Sequence, residues 1–310
     1  DIIGNKIYKA GLKFLFEIAL IETFPGMEVS YEHSVPRGML GVVNGDKILT
    51  QDDLSKIKEK MASIVSNNEI IAKLNVHPKD AIKYYNRCNE LEKALNVQSV
   101  SDKLVTLYKL HNKLNYFYSL MPYNTGSINK YELIYLGNNR IIFMFPTVKS
   151  NGVVPEYVHY DNIIESFFKG KKWLDNLGMP YISDLNKTIG NGKIKDFIRS
   201  NELMFSLDIA KVVDDIIRNK DVKFILIAGP SSSGKTTTTK RIASYLEALG
   251  YDTIKVSLDD YFVNREDTPK DEDGEYDFER IDAIDVDLFN KDLNRLLAGE
   301  EINLPIYNFL

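Results

Sequence analysis

The chain has 310 residues, 44% apolar and 27% charged, with one cysteine and a net charge of −5. That is length for about two domains with the composition of a soluble globular protein. One cysteine excludes an intrachain disulfide, and residues 1–150 (19 Lys and Arg against 15 Asp and Glu) and 151–310 (20 against 29) both lack the basic bias of a general nucleic-acid binder.

In chain order, residues 7–22 predict a helix: Lys9, Lys13 and Glu17 recur every four residues and leave a broad apolar face. The same charges interrupt the most apolar segment, GLKFLFEIALIETF, well short of the roughly 20 apolar residues a membrane span needs. MEVSYEHS and GMLGVV read as two strands joined by a turn at Pro36-Arg37-Gly38. Thr50 and Asp53 form a capping-box pattern ahead of Leu54, Ile57, Met61, Ile64 and Val65 at helical spacing. EIIAKLNV reads as a strand and HPKDAIKYYNRC as a helix, while KLVTLYKL, YELIYLG and RIIFMFP are β-rich. Without regular βαβ alternation, residues 1–148 read as one α+β domain. KSNGVVPEYV opens a linker and helical connector over 149–220, whose last helix carries Leu203, Leu207, Ala210, Val213 and Ile217 as one stripe. From 221 the pattern becomes strand, glycine-rich loop, helix and strand (TIKVSL), the start of a parallel α/β domain over 221–310.

That loop, Gly229-Pro-Ser-Ser-Ser-Gly234-Lys235-Thr236, fits G-x-x-x-x-G-K-[ST]. A loop of this kind aims consecutive backbone N–H groups at a phosphate, and the helix behind it adds its positive end. Gly229, Ser231, Ser232, Ser233, Gly234, Lys235, Thr236 and Thr237 are the expected nucleotide contacts. Lys235 neutralises the β- and γ-phosphates, and Thr236 ligates Mg²⁺. The expected cofactors are therefore ATP or GTP with Mg²⁺. The bland alternative is a Ser/Gly turn that binds nothing.

Asp259 and Asp260 end the next apolar run, SLDDYF. A carboxylate there could accept a proton from an attacking hydroxyl or hold Mg²⁺ through water; a helix cap or a solvated loop is the plain alternative. From Asp259 to Asp287 there are 13 acids and 3 bases, most of which must face water. DEDG formally fits a GTPase D-x-x-G, but it follows no strand and no N-K-x-D occurs.

GPSSSGKTT, SLDDYFVNREDTPKDEDGEYDFE, AIDVDLFNKDL and LPIYNF together resemble the uridine kinase family of phosphoribulokinase-like P-loop kinases. The resemblance implies that Asp259 is the base for a ribose 5′-hydroxyl, with Asp260 beside Thr236 as a metal contact. Glu279 falls where that family usually has an Asp holding ribose hydroxyls. Tyr307 packs on the base with Phe309 beside it, and Tyr261 joins the substrate contacts. A P-loop kinase domain takes roughly 200 residues, so the chain is expected to be cut within its kinase domain and not to turn over by itself.

Residues 6–95, through LIETFPGMEVSYEHSVPRGMLGVV, ILTQDDLSKIKEKMASIV and HPKDAIKYY, resemble the additional, editing-like domain of threonyl-tRNA synthetases. Those domains carry H-x-x-x-H on the first helix. Here His33, His77, His111 and His159 form no such pair and Cys88 has no neighbouring His, so no zinc is expected. The combination resembles a bacterial family that joins such a region to a uridine kinase-like domain. The expectation is a cytoplasmic nucleoside kinase with no membrane partner, acting on a nucleoside and a nucleoside triphosphate, with a weak tRNA or RNA contact by the first domain. The rivals are a P-loop kinase for a sugar phosphate or pantothenate, and a tRNA- or nucleotide-sensing module without catalysis.

Overall fold

The computed structural model describes residues 1–99, 104–230, 232–272 and 274–308. The chain divides into two compact units, Asp1–Ile194 and Lys195–Leu310.

The first unit opens with α1 (Ile2–Thr23), which starts five residues earlier than its periodicity predicts because the Asp1 side chain caps it, accepting from Gly4 N. Leu12, Phe14, Leu15, Phe16, Ile18, Ala19 and Leu20 are all buried, so the Lys9–Lys13–Glu17 stripe is the helix's polar edge. β1 (Glu28–Val35), β2 (Gly38–Asn44), β6 (Glu132–Tyr135) and β7 (Arg140–Met144) form an antiparallel sheet in the order β1-β2-β7-β6. Both faces are covered, which is why β2 and β7 read as nearly continuous apolar runs. Met39, Val43, Ile141 and Phe143 face α1 and α2 (Gln51–Ser66), whereas Leu40, Ile142 and Met144 meet Ile164, Phe167 and Phe168 of α5 (Asp161–Asn176).

The capping box forms as expected: Asp53 N donates to Thr50 Oγ1 at 3.2 Å, and Thr50 N to Asp53 Oδ2 at 3.0 Å. A three-stranded antiparallel sheet, β3 (Ala72–Val76), β4 (Val105–Leu110) and β5 (Lys113–Asn115), packs Leu107 against Ala81, Tyr85, Ala94 and Val97 of α3 (Pro78–Arg87) and α4 (Leu91–Gln98). Residues 69–71, expected in β3, instead bridge to the 123–125 turn. α6 (Ile182–Gly190) completes the unit.

The second unit contains α7 (Ile194–Arg218), α8 (Lys235–Ala248) and α9 (Val286–Leu297), with 3₁₀ turns at Leu258–Tyr261 and Ile281–Ala283. Two expectations need correction. The buried face of α7 is Ile209 and Val213 with Ile216 and Ile217, while Leu203 and Leu207 are 59% and 58% exposed. At about 1.5 Å per residue α8 is little more than half the length of α7 and covers the C-terminal part of it. The parallel sheet is also not formed: among the described residues the unit has no strand, only isolated bridges at Phe262–Ile284 and Lys270–Tyr276. Residues 223–228 and 253–257 carry the apolar pattern of strands, but a ladder needs a neighbouring strand to take its N–H and C=O groups. These segments run without one, leaving Leu226 72% and Ile254 65% exposed. No described helix is long and apolar enough to cross a membrane.

Candidate functional site

The phosphate loop is held by the helix that follows it. Ile242 and Leu246 bury α8 against Ile209 and Val213, and Ile227 of the incoming segment joins the cluster. Arg241 adds a bond to Ser206 Oγ at 3.1 Å and lies over the Phe205 ring. α8 therefore begins at a fixed point, Lys235, with Gly234 as its N-cap at φ +87°. This left-handed conformation is cheap for glycine and strained for other residues. Ser232 also has positive φ, +58°.

The first helical bond is Thr238 N to Gly234 O at 2.9 Å. The N–H groups of Lys235, Thr236 and Thr237 come before it and have no intrahelical acceptor, which makes them anion donors at the positive end of the helix. A Cβ on Gly229 would lie 2.7 Å from Ser233 Oγ, so a side chain there would have to displace the Ser233 hydroxyl. Lys235 turns back over the loop, donating to the Gly229 and Pro230 carbonyls at 2.9 and 3.1 Å. Thr236 and Thr237 are exposed. These residues fit a polyphosphate: three N–H donors at the helix start, the Lys235 ammonium and the exposed Thr236. Ser231 lies outside the described residues.

Asp259 and Asp260 sit in the 3₁₀ turn Leu258–Tyr261. The turn is fastened to α9: Asp285 N donates to Tyr261 O at 2.8 Å and Val263 N to Ala283 O at 2.9 Å. Asp285 caps α9 by accepting from Leu288 N. Tyr261, expected among the substrate contacts, is buried to 2%; its hydroxyl donates to Asp292 and its ring packs edge-on against Phe289. Burial, then the Asp292 bond and charge, push the phenol up from its ordinary value. Its placement is that of an anchor under Asp259 and Asp260. Asp259 is exposed, and Asp260 is half-buried, with Tyr307 N 3.5 Å from its Oδ1.

Tyr307 is half-buried with its ring 5.4 Å from Phe262, and Phe262 packs edge-on against Phe278 at 5.3 Å. Glu279 is exposed, its N–H bonded to Asp277 Oδ1. Phe309 lies outside the described residues. The structure thus brings Asp260 and Tyr307 together. Among the described residues no hydrogen bond or ion pair links the phosphate loop to Asp259 or Asp260. Sequence reasoning missed Asp292, which anchors Tyr261, and the Phe262–Phe278 pair behind Tyr307; the aromatics crowded into DDYFV and EYDFE were the available signal. No described group of three or more His, Cys, Asp or Glu could hold a metal. An Mg²⁺ bound through Thr236 and nucleotide phosphates needs no such cluster.

Residues 224–310 match the Phosphoribulokinase / Uridine kinase family. Similar proteins include a uridine kinase of Leuconostoc citreum, 36% identical over 83 residues, covering 27% of this chain and 40% of that one. Another, from Schizosaccharomyces pombe, is 37% identical over 92 residues, covering 29% and 20%. A third, from Borrelia duttonii, is 35% identical over 96 residues, covering 29% and 41%. The chain thus spans less than half the length of each of these relatives. At its C-terminal end, over residues 224–310, the chain carries a phosphoribulokinase/uridine kinase family domain.

Proposed function

We propose that the protein is an NTP-dependent nucleoside kinase that transfers the γ-phosphoryl group of ATP or GTP to the 5′-hydroxyl of a pyrimidine nucleoside, uridine or cytidine. The observation that carries this reading is the 229–237 loop, where a left-handed Gly234 opens α8 and Lys235 folds back to Gly229. The similarity to uridine kinases supports the nucleoside as acceptor.

Phosphoryl transfer asks a protein mainly for positioning and charge neutralisation. The N–H groups of 235–237 bind the phosphate oxygens. Lys235 exchanges its bonds to the Gly229 and Pro230 carbonyls for charge-assisted bonds to phosphate, which are roughly twice as strong. Thr236 Oγ1 and, through water, Asp260 would hold Mg²⁺, which would supply further neutralisation of phosphate charge. Asp259, exposed on a turn that Tyr261 anchors, accepts the proton of the attacking hydroxyl. Tyr307 stacks on the base and Glu279 holds ribose hydroxyls.

Residues 1–148 read as a threonyl-tRNA synthetase additional-domain-like scaffold, with a weak RNA contact that a gel shift with tRNA would reveal. The support is their sequence patterning and the elements that form over them.

The experiment for the kinase reading is ADP release by the full-length protein against uridine, cytidine, adenosine, guanosine, pantothenate and a sugar phosphate. Pyrimidine nucleosides are expected to be phosphorylated. Asp259→Asn should cut kcat by about 10²–10⁴-fold with nucleotide affinity kept. Turnover restricted to pantothenate or the sugar phosphate, or nucleotide binding without turnover, would sink it.

A further inference from the structure

On the polar edge of α1, among the described residues, Lys9 and Lys13 form no ion pair, and Glu17 on the same edge is taken by Lys93 and Lys113. Lys93, Lys113 and Lys171, half-buried elsewhere in the first unit, meet acids: the first meets Glu17 and Glu90, the second Glu90, and the third Glu32. Lys9 and Lys13, one helical turn apart and both half-buried, do not. Lys9 Nζ lies 3.0 Å from Ser34 Oγ, and Lys13 Nζ sits over the Tyr31 ring, 4.8 Å from its centroid. Among the described residues neither has an acid within ion-pair distance.

A bulge in β1 builds this arrangement. In an unbroken strand residues 31 and 34 would point to opposite faces. Here the β1–β2 register shifts between Tyr31 and His33. Tyr31 and Ser34 both turn to α1: the Tyr31 hydroxyl donates to the Lys13 carbonyl at 2.7 Å, and Ser34 meets Lys9. Between them Glu32 meets Lys171 and His33 stacks on Phe167 at 4.0 Å, both on α5. Bulges of this kind re-aim side chains next to functional sites.

Leaving two neighbouring ammonium groups half-buried without an acid is costly. Burial holds Lys9 below the usual lysine range; burial, and then the charge of Lys9, hold Lys13 down to about 8. An anion between the two would offset the cost, and two positive charges match a doubly charged group better than a single carboxylate. Ser34 is exposed, so the pair can be reached from solvent.

We propose that Lys9, Lys13 and Ser34, with the Tyr31 ring as a floor, form a second phosphate-binding site, one that takes a small phosphorylated molecule such as a phosphate monoester or pyrophosphate. The site lies in the first compact unit, whereas the phosphate loop lies in the second.

The test uses the full chain with Lys235→Ala, which weakens anion binding at the 229–237 loop, and pyrophosphate as the probe in isothermal calorimetry. One-to-one binding is expected. Lys13→Met should weaken it by about tenfold or more, as expected for loss of a charge-assisted bond, and Ser34→Ala by a few-fold. The Lys9→Met/Lys13→Met pair should abolish binding and, in phosphate-free buffer, raise the unfolding temperature, because the unpaired charges are gone. Lys149→Met, on the exposed surface, should change neither. The single variants keep the test readable if the double variant does not fold. No pyrophosphate binding in the Lys235→Ala chain, binding untouched by the α1 substitutions, or binding of a short RNA but not of pyrophosphate would overturn the proposal.

Discussion

The Tyr261 hydroxyl donates to Asp292 Oδ2 at 3.2 Å, and this bond fastens the Asp259–Asp260 turn to the middle of α9. Both partners are buried, at 2% and 5% exposure. Tyr261→Phe keeps the ring's packing on Phe289 but leaves a buried carboxylate short of its donor. The expected cost is about 1–3 kcal/mol of stability, read by urea unfolding. Asp292→Asn keeps an acceptor for the hydroxyl and should cost less than Tyr261→Phe. The reverse order would show that the ring, and not the bond, holds the turn.

Lys235 supplies the cation that folds over the loop. Lys235→Ala should lower affinity for ATP and GTP by about tenfold or more, since it removes a charge-assisted bond to phosphate. Thermal stability should change little, because the two carbonyls that Lys235 meets are exposed and water replaces it. A fluorescent nucleotide titration checks the first half of this expectation and a melting curve the second. Unchanged affinity would remove the loop from the binding site.

Asp53 ties together the start of α2, closing the capping box with Thr50 and meeting Lys47 Nζ at 2.7 Å. The Lys47 bond, then the Thr50 backbone N–H, hold its carboxyl down to about 2. A depressed folded-state pKa contributes stability above the unfolded value, about 3.9, and loses it as pH falls toward 2. Asp53→Ala should therefore destabilise by about 1–2 kcal/mol at neutral pH. It should also flatten acid unfolding between about pH 4 and pH 2. Denaturant midpoints across that range decide it; equal acid sensitivity in both proteins would mean that the box contributes nothing.

What the sequence reveals follows from how local each signal is. The capping box spans four residues and forms as read. α1, β2 and β7 were legible because their partners only had to bury an apolar face, whichever elements those partners were. α4 and β5 are too short to carry a period. The 223–228 and 253–257 segments show the limit on strands: alternation gives a residue pattern, but a ladder is a relation between two segments. The start of α8 at Lys235 was legible because Gly234 and the residues that follow it are neighbours in sequence. Asp292 was not, because its role depends on a tyrosine 31 residues away. Lys9 and Lys13 looked like an ordinary solvated edge until the β1 bulge set Ser34 and Tyr31 against them.

His111 stands at the β4–β5 turn with φ +51°, and its two ring nitrogens meet two acids. Nδ1 reaches Glu22 at the end of α1, and Nε2 lies 2.6 Å from Glu69 Oε2 ahead of β3. Glu22 also takes Lys60 Nζ at 2.8 Å. Burial works against the charged imidazole, but the Glu22 bond, the charge of Glu22 and then Glu69 outweigh it and raise its pKa. For Glu22, burial is likewise outweighed by the Lys60 and His111 bonds, and its pKa falls. A raised histidine pKa gives stability that is fully present below the unfolded value of about 6.5 and is lost as pH rises through the folded value. The acid partner sets the lower limit, because the contribution of Glu22 is lost as pH falls below its own unfolded value. The clasp should thus be strongest near pH 5–6 and weaken toward pH 8. His111 is about a quarter exposed, so screening limits the effect to about 1 kcal/mol. His111→Asn suits the left-handed turn and removes the titrating ring. Its urea midpoint should change less between pH 6 and pH 8 than that of the parent chain. Parent stability that rises over this interval, or an equal fall in both proteins, would show that His111 does not clamp α1 to the second sheet.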